Sequence, residues 1–143
     1  MHKLLATHAP AAVLIIRLMV GAVFGSEGTQ KFLFPADVGA GRFEKIGIPA
    51  PQIVAPFVAC FEIGCGVLLL AGALTRLAAV PLIVIMLTAI ATTKIPILLD
   101  QGFWKMAHEA RTDWSMLLGS VFLLVVGGGA WSLDARWTRN RQP

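Results

Sequence analysis

Four apolar runs, each close to the length that crosses a bilayer, leave this chain few ways to fold. About 20 apolar residues, rising about 1.5 Å each as a helix, span a hydrocarbon core of about 30 Å. No water is present there to satisfy backbone N–H and C=O groups, so each run must close its own hydrogen bonds as a helix. The runs cover residues 10–28, 51–72, 75–93 and 113–131 and predict four spanning helices. The expected fold is all-α: an integral membrane four-helix bundle forming one domain over 1–143, ending in a basic C-terminal tail at 134–143. Charged residues make up only 14% of the 143, well below the roughly 25% of soluble domains, and the mean hydropathy is +0.76.

Local chemistry agrees with these boundaries. Pro10 and Pro51 suit a first helical turn, where the missing N–H costs nothing. The second and third runs are joined only by 72–76, which makes a tight antiparallel hairpin. The connection 31–50 is rich in glycine and proline, and 42–46 predicts a short interfacial helix. The connection 94–112 opens at Pro96, read as a helix break, and continues through Phe103, Trp104 and Met106. These either dip into the membrane interface or cap the bundle. Trp114 and Trp131 bracket the fourth run, as interfacial tryptophans do. Lys3 followed by an apolar stretch resembles a signal peptide, but Arg17 in its middle and three further runs point to a retained membrane helix.

An even number of spans puts both termini on one side. Lys3, Arg76, Arg136, Arg139 and Arg141 fall there, and Lys31, Arg42, Lys45, Lys94, Lys105 and Arg111 fall on the other. The count does not decide orientation, and the arginine-rich tail tips it towards termini inside. The net charge of +4 and pI of about 9.6 come without a basic, aromatic-interleaved patch, so nucleic acid is not an expected partner.

Two charges lie inside the apolar runs: Arg17 in the first and Glu62 in the second. Each is expensive in hydrocarbon, and such residues usually face a bundle interior or a polar cavity. Arg17 lies about 10 Å from Pro10 and Glu62 about 16 Å from Pro51 on the opposite surface, which predicts depths agreeing within about 5 Å and a buried Arg–Glu contact. That contact is either a packing device or a polar site for a ligand, proton or quinone headgroup. Gly21 and Gly25 form a G-x-x-x-G step that admits a neighbouring backbone. Cys65 shares the Glu62 face. Cys60 and Cys65 lie about 140° apart on a helix, too far round to bridge or share a metal, and read as small core residues or, less simply, as redox thiols. The polar cluster Glu27, Gln30 and Lys31 is either a solvated helix end or the mouth of the same cavity. Trp104, His108, Glu109 and Asp113 are candidates for a capping loop, with Asp113 suited to the first turn of the fourth helix. No metal-ligand spacing, nucleophile elbow or phosphate-binding loop is present; Gly127-Gly128-Gly129 reads as a helix end.

An ordered set of motifs resembles the DoxX family of small bacterial membrane proteins. It comprises Arg17-Leu18 with Gly21, Gly28-Thr29-Gln30-Lys31-Phe32, Phe61-Glu62-Ile63-Gly64-Cys65-Gly66, Leu68 to Gly72, Leu74-Thr75-Arg76-Leu77-Ala78, and the ending from Gly127 to Asp134. Two positions depart from the pattern: Glu27 stands where the family often has His, and Gly128 replaces a frequent Pro. The resemblance implies a multi-pass protein of the bacterial inner membrane, surrounded by the lipid bilayer and linked to redox metabolism. Such proteins resemble subunits of thiosulfate:quinone oxidoreductase, or membrane partners of superoxide dismutase and a sulfurtransferase. A quinone or small sulfur compound at a buried Arg/Glu site is the leading expectation. The alternative is a non-catalytic anchor for a soluble or membrane redox protein; self-association into a homo-oligomer is also consistent with the sequence.

Overall fold

The structure is a computed structural model and describes residues 10–140, so Lys3 and Arg141 lie outside it. Its secondary structure is entirely helical among the described residues. The long helix α1 (Val13–Leu33) is followed by a short α2 (Ala40–Lys45) and by α3 (Pro51–Ala71). Next come α4 (Thr75–Ala89), a π-helical turn (Ile90–Lys94) and α5 (Ile95–Gln101), which together form one 27-residue helix. The chain ends with α6 (Phe103–Glu109), α7 (Arg111–Val126) and α8 (Leu133–Arg139).

Three boundaries differ from the sequence expectation. Helix α1 runs through Gly28 to Leu33, because Gly28 serves close packing rather than termination: a Cβ there would lie 2.7 Å from the Ala59 carbonyl. Pro96 does not break the third helix. Proline removes an N–H and its ring crowds the carbonyl four residues back. The π turn absorbs this defect, with the Ile95 N–H reaching back to the Ile90 carbonyl, and the helix continues to Gln101. Helix α7 stops at Val126, where Gly127 takes φ 88°, a conformation costly for any residue with a Cβ.

Two helices, Pro51–Ala71 and Thr75–Gln101, are long and apolar enough to cross a membrane. Their most apolar stretches are only 33% and 11% buried, so most of these side chains face outward, unlike those of a soluble core helix. Exposed Val67, Leu77 and Leu87 belong to this outer surface, which is what lipid rather than water would wet.

Helix α1 packs on α3 and α4 packs on α7, with α3 and α4 joined as the expected hairpin. The α1–α3 seam is lined with glycine: a Cβ on Gly21 would lie 2.9 Å from the Gly66 carbonyl, and one on Gly66 would lie 2.8 Å from the Gly21 carbonyl. Small residues let backbones touch where lipid supplies no hydrophobic drive between helices. Val20, Phe24, Leu69, Leu82 and Leu123 fill the interior between the helices. The short α2 buries Ala40 and Phe43 against Ala55 and so folds the 31–50 connection over one end.

Candidate functional site

Arg17 and Glu62 are both buried, at 1% and 4% exposure, but they are not partners. The antiparallel α1–α3 register sets Arg17 beside Leu69 and Leu70, about two turns from Glu62. Arg17 Nε donates to the Leu69 carbonyl at 2.8 Å and Nη2 to the Leu70 carbonyl at 2.7 Å. Its Nη1 donates to the carbonyls of Gly128 (3.1 Å) and Trp131 (2.7 Å). Leu69 and Leu70 belong to the last turn of α3, whose carbonyls carry its negative dipole end; the Leu69 carbonyl also accepts from the Gly72 N–H at 3.0 Å. A guanidinium, with five donors in one plane, is well matched to such a cluster.

An anion performs the complementary task at the start of α4. Asp134, 2% exposed, accepts from the backbone N–H groups of Leu74 (2.7 Å) and Thr75 (2.9 Å), the orphan donors of that helix. Its own N–H donates to the Gly72 carbonyl at 2.9 Å. Ser132 caps α8 by accepting from the Ala135 N–H at 3.1 Å and donates to the Gly129 carbonyl at 2.6 Å. Arg17 and Asp134 thus clamp both helix ends at the α3–α4 turn and bind the C-terminal segment to it. The hydrogen bonds of this clamp join three segments of the chain to one another and lock them together.

The other end of the molecule is open. Glu62 accepts from Lys31 Nζ at 2.7 Å, and the side chains are 5% and 10% exposed. Lys31 also lies 4.0 Å from the half-exposed Glu27 carboxylate, one turn earlier on α1. A second pair, Lys94 with Asp113 at 3.2 Å, joins the π turn to the first turn of α7. Both pairs line a single cavity of about 890 Å³. Between them its wall is apolar and aromatic, including Phe24, Phe57, Phe61 and Met86. Arg42, Phe43 and the stretch Ile46 to Pro49 border it where α2 folds over.

The residues singled out in the sequence divide between several places. Glu27, Lys31, Glu62 and Asp113 line the cavity. Arg17 belongs to the lock at the other end. Gln30 is off the cavity wall, donating to Ser26 Oγ at 3.0 Å on the outer face, and Cys65 is packed in the core. Trp104 and His108 are exposed. Glu109 makes an exposed pair with Lys105, which holds its carboxyl below the usual range by hydrogen bonding and charge; pairs of this kind contribute little to stability. Lys94 and Asp134 escaped notice as site residues. The signal for Lys94 was a lone cation ahead of a proline that looked like a helix end, and for Asp134 an acid in a basic tail.

The profile of the DoxX family matches residues 12–95, which include Arg17, Lys31, Glu62 and Lys94. The chain belongs to the DoxX family. It is 52% identical over 143 residues to a protein described as uncharacterized membrane protein Rv3486 of Mycobacterium tuberculosis, covering 96% of this chain and 88% of the relative. No solved structure matches. This DoxX chain is therefore an all-α membrane protein, in keeping with its two long outward-facing apolar helices. The Asp113 and Asp134 partners lie beyond the matched segment.

Proposed function

We propose that this DoxX protein spans the bacterial inner membrane four times and binds a quinone or small sulfur compound in its open-ended cavity, as a membrane subunit of a redox system. The observation that carries this reading is an apolar cavity of about 890 Å³ holding two lysine–carboxylate pairs, one buried and one partly buried. Its volume falls in the roughly 300–1,000 Å³ range of small-molecule sites, and so does its mixture of apolar wall and few convergent polar groups. A quinone ring fits the donor chemistry: phenylalanines to cover its faces and ammonium groups to donate to its carbonyl oxygens. When bound, such a ring supplies the two-electron chemistry; the protein's residues bind and orient it and exclude water. Lys31 is the leading donor, held in place by Glu62.

The test is equilibrium binding of a para-quinone to the protein in lipid nanodiscs. Glu62→Gln removes the anchor of Lys31 and is expected to weaken binding at least several-fold while the helical spectrum is retained. Quinone-dependent turnover of the assembled system should fall in parallel. Native-like binding by the variant would refute the assignment of this site.

A second reading, a membrane anchor for a soluble redox protein, is favoured by α5 and α6. Neither contains a buried residue, and Leu99 and Trp104 are 81% and 83% exposed. Replacing Leu99, Phe103 and Trp104 with serine would abolish partner recovery in a pull-down if this surface holds a protein, and leave it unchanged if it rests in lipid.

A further inference from the structure

Lys94 stands out among the cavity's charged groups. It is 9% exposed, on the wall formed by α4 and α7, whereas Lys31 and Glu62 come from α1 and α3. An ammonium carries three donors; the Asp113 carboxylate lies 3.2 Å from it, and the Glu109 carboxylate acts on it through charge, with no ion-pair contact within 4.0 Å. Lys94 lines the cavity, so the donors that Asp113 does not take are within reach of an acceptor that enters from outside the chain. The hydroxyls of Thr88, Thr92 and Thr93 also stand at this wall, and each donates back to its own helix, at 2.9, 2.8 and 2.6 Å. The backbone adds to the point. The π turn inserts one residue just before Lys94, which turns the following positions by about 100°, and π turns often mark functional sites.

We infer that Lys94 is a second ligand-binding residue, and that Lys31 and Lys94, from two different helix pairs, together select a flat apolar ligand with hydrogen-bond acceptors at both ends, as in a para-quinone. This rests on the quinone reading and narrows it: a compound with one acceptor engages only one of the two ammonium groups. Asp113 is a positioning residue, holding Lys94 through one donor and leaving the others directed to the cavity. Lys31 is the more fully engaged cation, with Glu62 at 2.7 Å and the Glu27 carbonyl at 3.5 Å, so the selectivity for a second acceptor falls to Lys94.

Anthraquinone and anthrone test this directly, since they share a flat three-ring body and carry two para carbonyls and one. Equilibrium dialysis against protein in nanodiscs, with empty nanodiscs subtracted, gives both affinities. The native protein is expected to prefer anthraquinone by about tenfold or more, the yield of one further hydrogen bond from a charged donor. Lys94→Met should erase that preference. Should the single variant fail to fold, Lys94→Met with Asp113→Leu removes both charges together and should erase the preference equally. A preference that survives in a folded variant, or is absent from the native protein although it binds anthraquinone, overturns the role of Lys94 and leaves the quinone site standing. Failure of the native protein to bind either compound overturns both.

Discussion

Arg17 shows how one side chain can replace a whole set of helix-end partners. Its four carbonyl bonds use the last turn of α3 and the segment after α7, which are distant in sequence. Hydrogen bonds from a charged donor contribute about 1.5–3 kcal/mol each. Arg17→Lys keeps the charge but not the planar fork. At least two of the four bonds should be lost, lowering stability by about 3 kcal/mol or more, read as an earlier midpoint in a detergent-unfolding titration. Quinone binding by the folded fraction should be unchanged, because Arg17 is not part of the cavity wall. A variant as stable as the native protein would show that the clamp is dispensable. That Arg17 and Glu62 matter was legible in the sequence, since two charges in apolar runs cannot be indifferent. Their partners were not. Depth counted from Pro10 and Pro51 placed them nearly level, but helix α1 is longer than expected at its far end, and Lys31 is carried on its last turn to meet Glu62.

At the scale of elements, register is set by glycine and by one irregular turn. The step Gly21-x-x-x-Gly25 suggested a close approach, and the structure divides the roles. A Cβ on Gly25 meets nothing within 4 Å, while one on Gly28 would lie 2.9 Å from Glu62 Cβ as well as 2.7 Å from the Ala59 carbonyl. Gly25→Ala should therefore leave the melting midpoint unchanged. Gly28→Ala must push α1 from α3, at about 1–3 kcal/mol for overpacking, and should also weaken quinone binding by drawing Lys31 away from Glu62. Equal effects of the two substitutions would refute this division. The short α2 at 40–45 and the hairpin at 72–76 were readable from their punctuation. Pro96 misled because proline predicts a broken helix, whereas a π turn accommodates it and keeps one axis. No local sequence signal distinguishes those outcomes; the difference lies in what the turn packs against. Its consequence is positional, for it puts Lys94 on the cavity wall rather than in a loop.

For the molecule as a whole, the two ends have opposite characters. One end is sealed by Arg17 and Asp134, whose contacts tie the α3–α4 turn to α8 and hence fix the exit of the chain near Asn140 to the same end as Gly72. The other end holds the connections 34–50 and 102–110, both lysine pairs and the cavity. Balanced charge left orientation undecided in the sequence. This arrangement nevertheless makes orientation and access one question, because a label that finds one end also locates the site. With termini inside, as the arginines of α8 favour, the cavity would open towards the outer face of the membrane and the proposed ligand would enter from there. A membrane-impermeant maleimide settles this in a variant with Cys60 and Cys65 replaced by alanine and a single new cysteine elsewhere. Cysteine at Asn140 should resist labelling in intact cells and react after lysis, while cysteine at Glu44 on α2 should react in both. The reverse pattern would place the cavity on the cytoplasmic side, and labelling of both sites in intact cells would contradict four spans. A bound para-quinone should then slow labelling at Arg42→Cys, which borders the cavity, and leave Glu44→Cys unaffected.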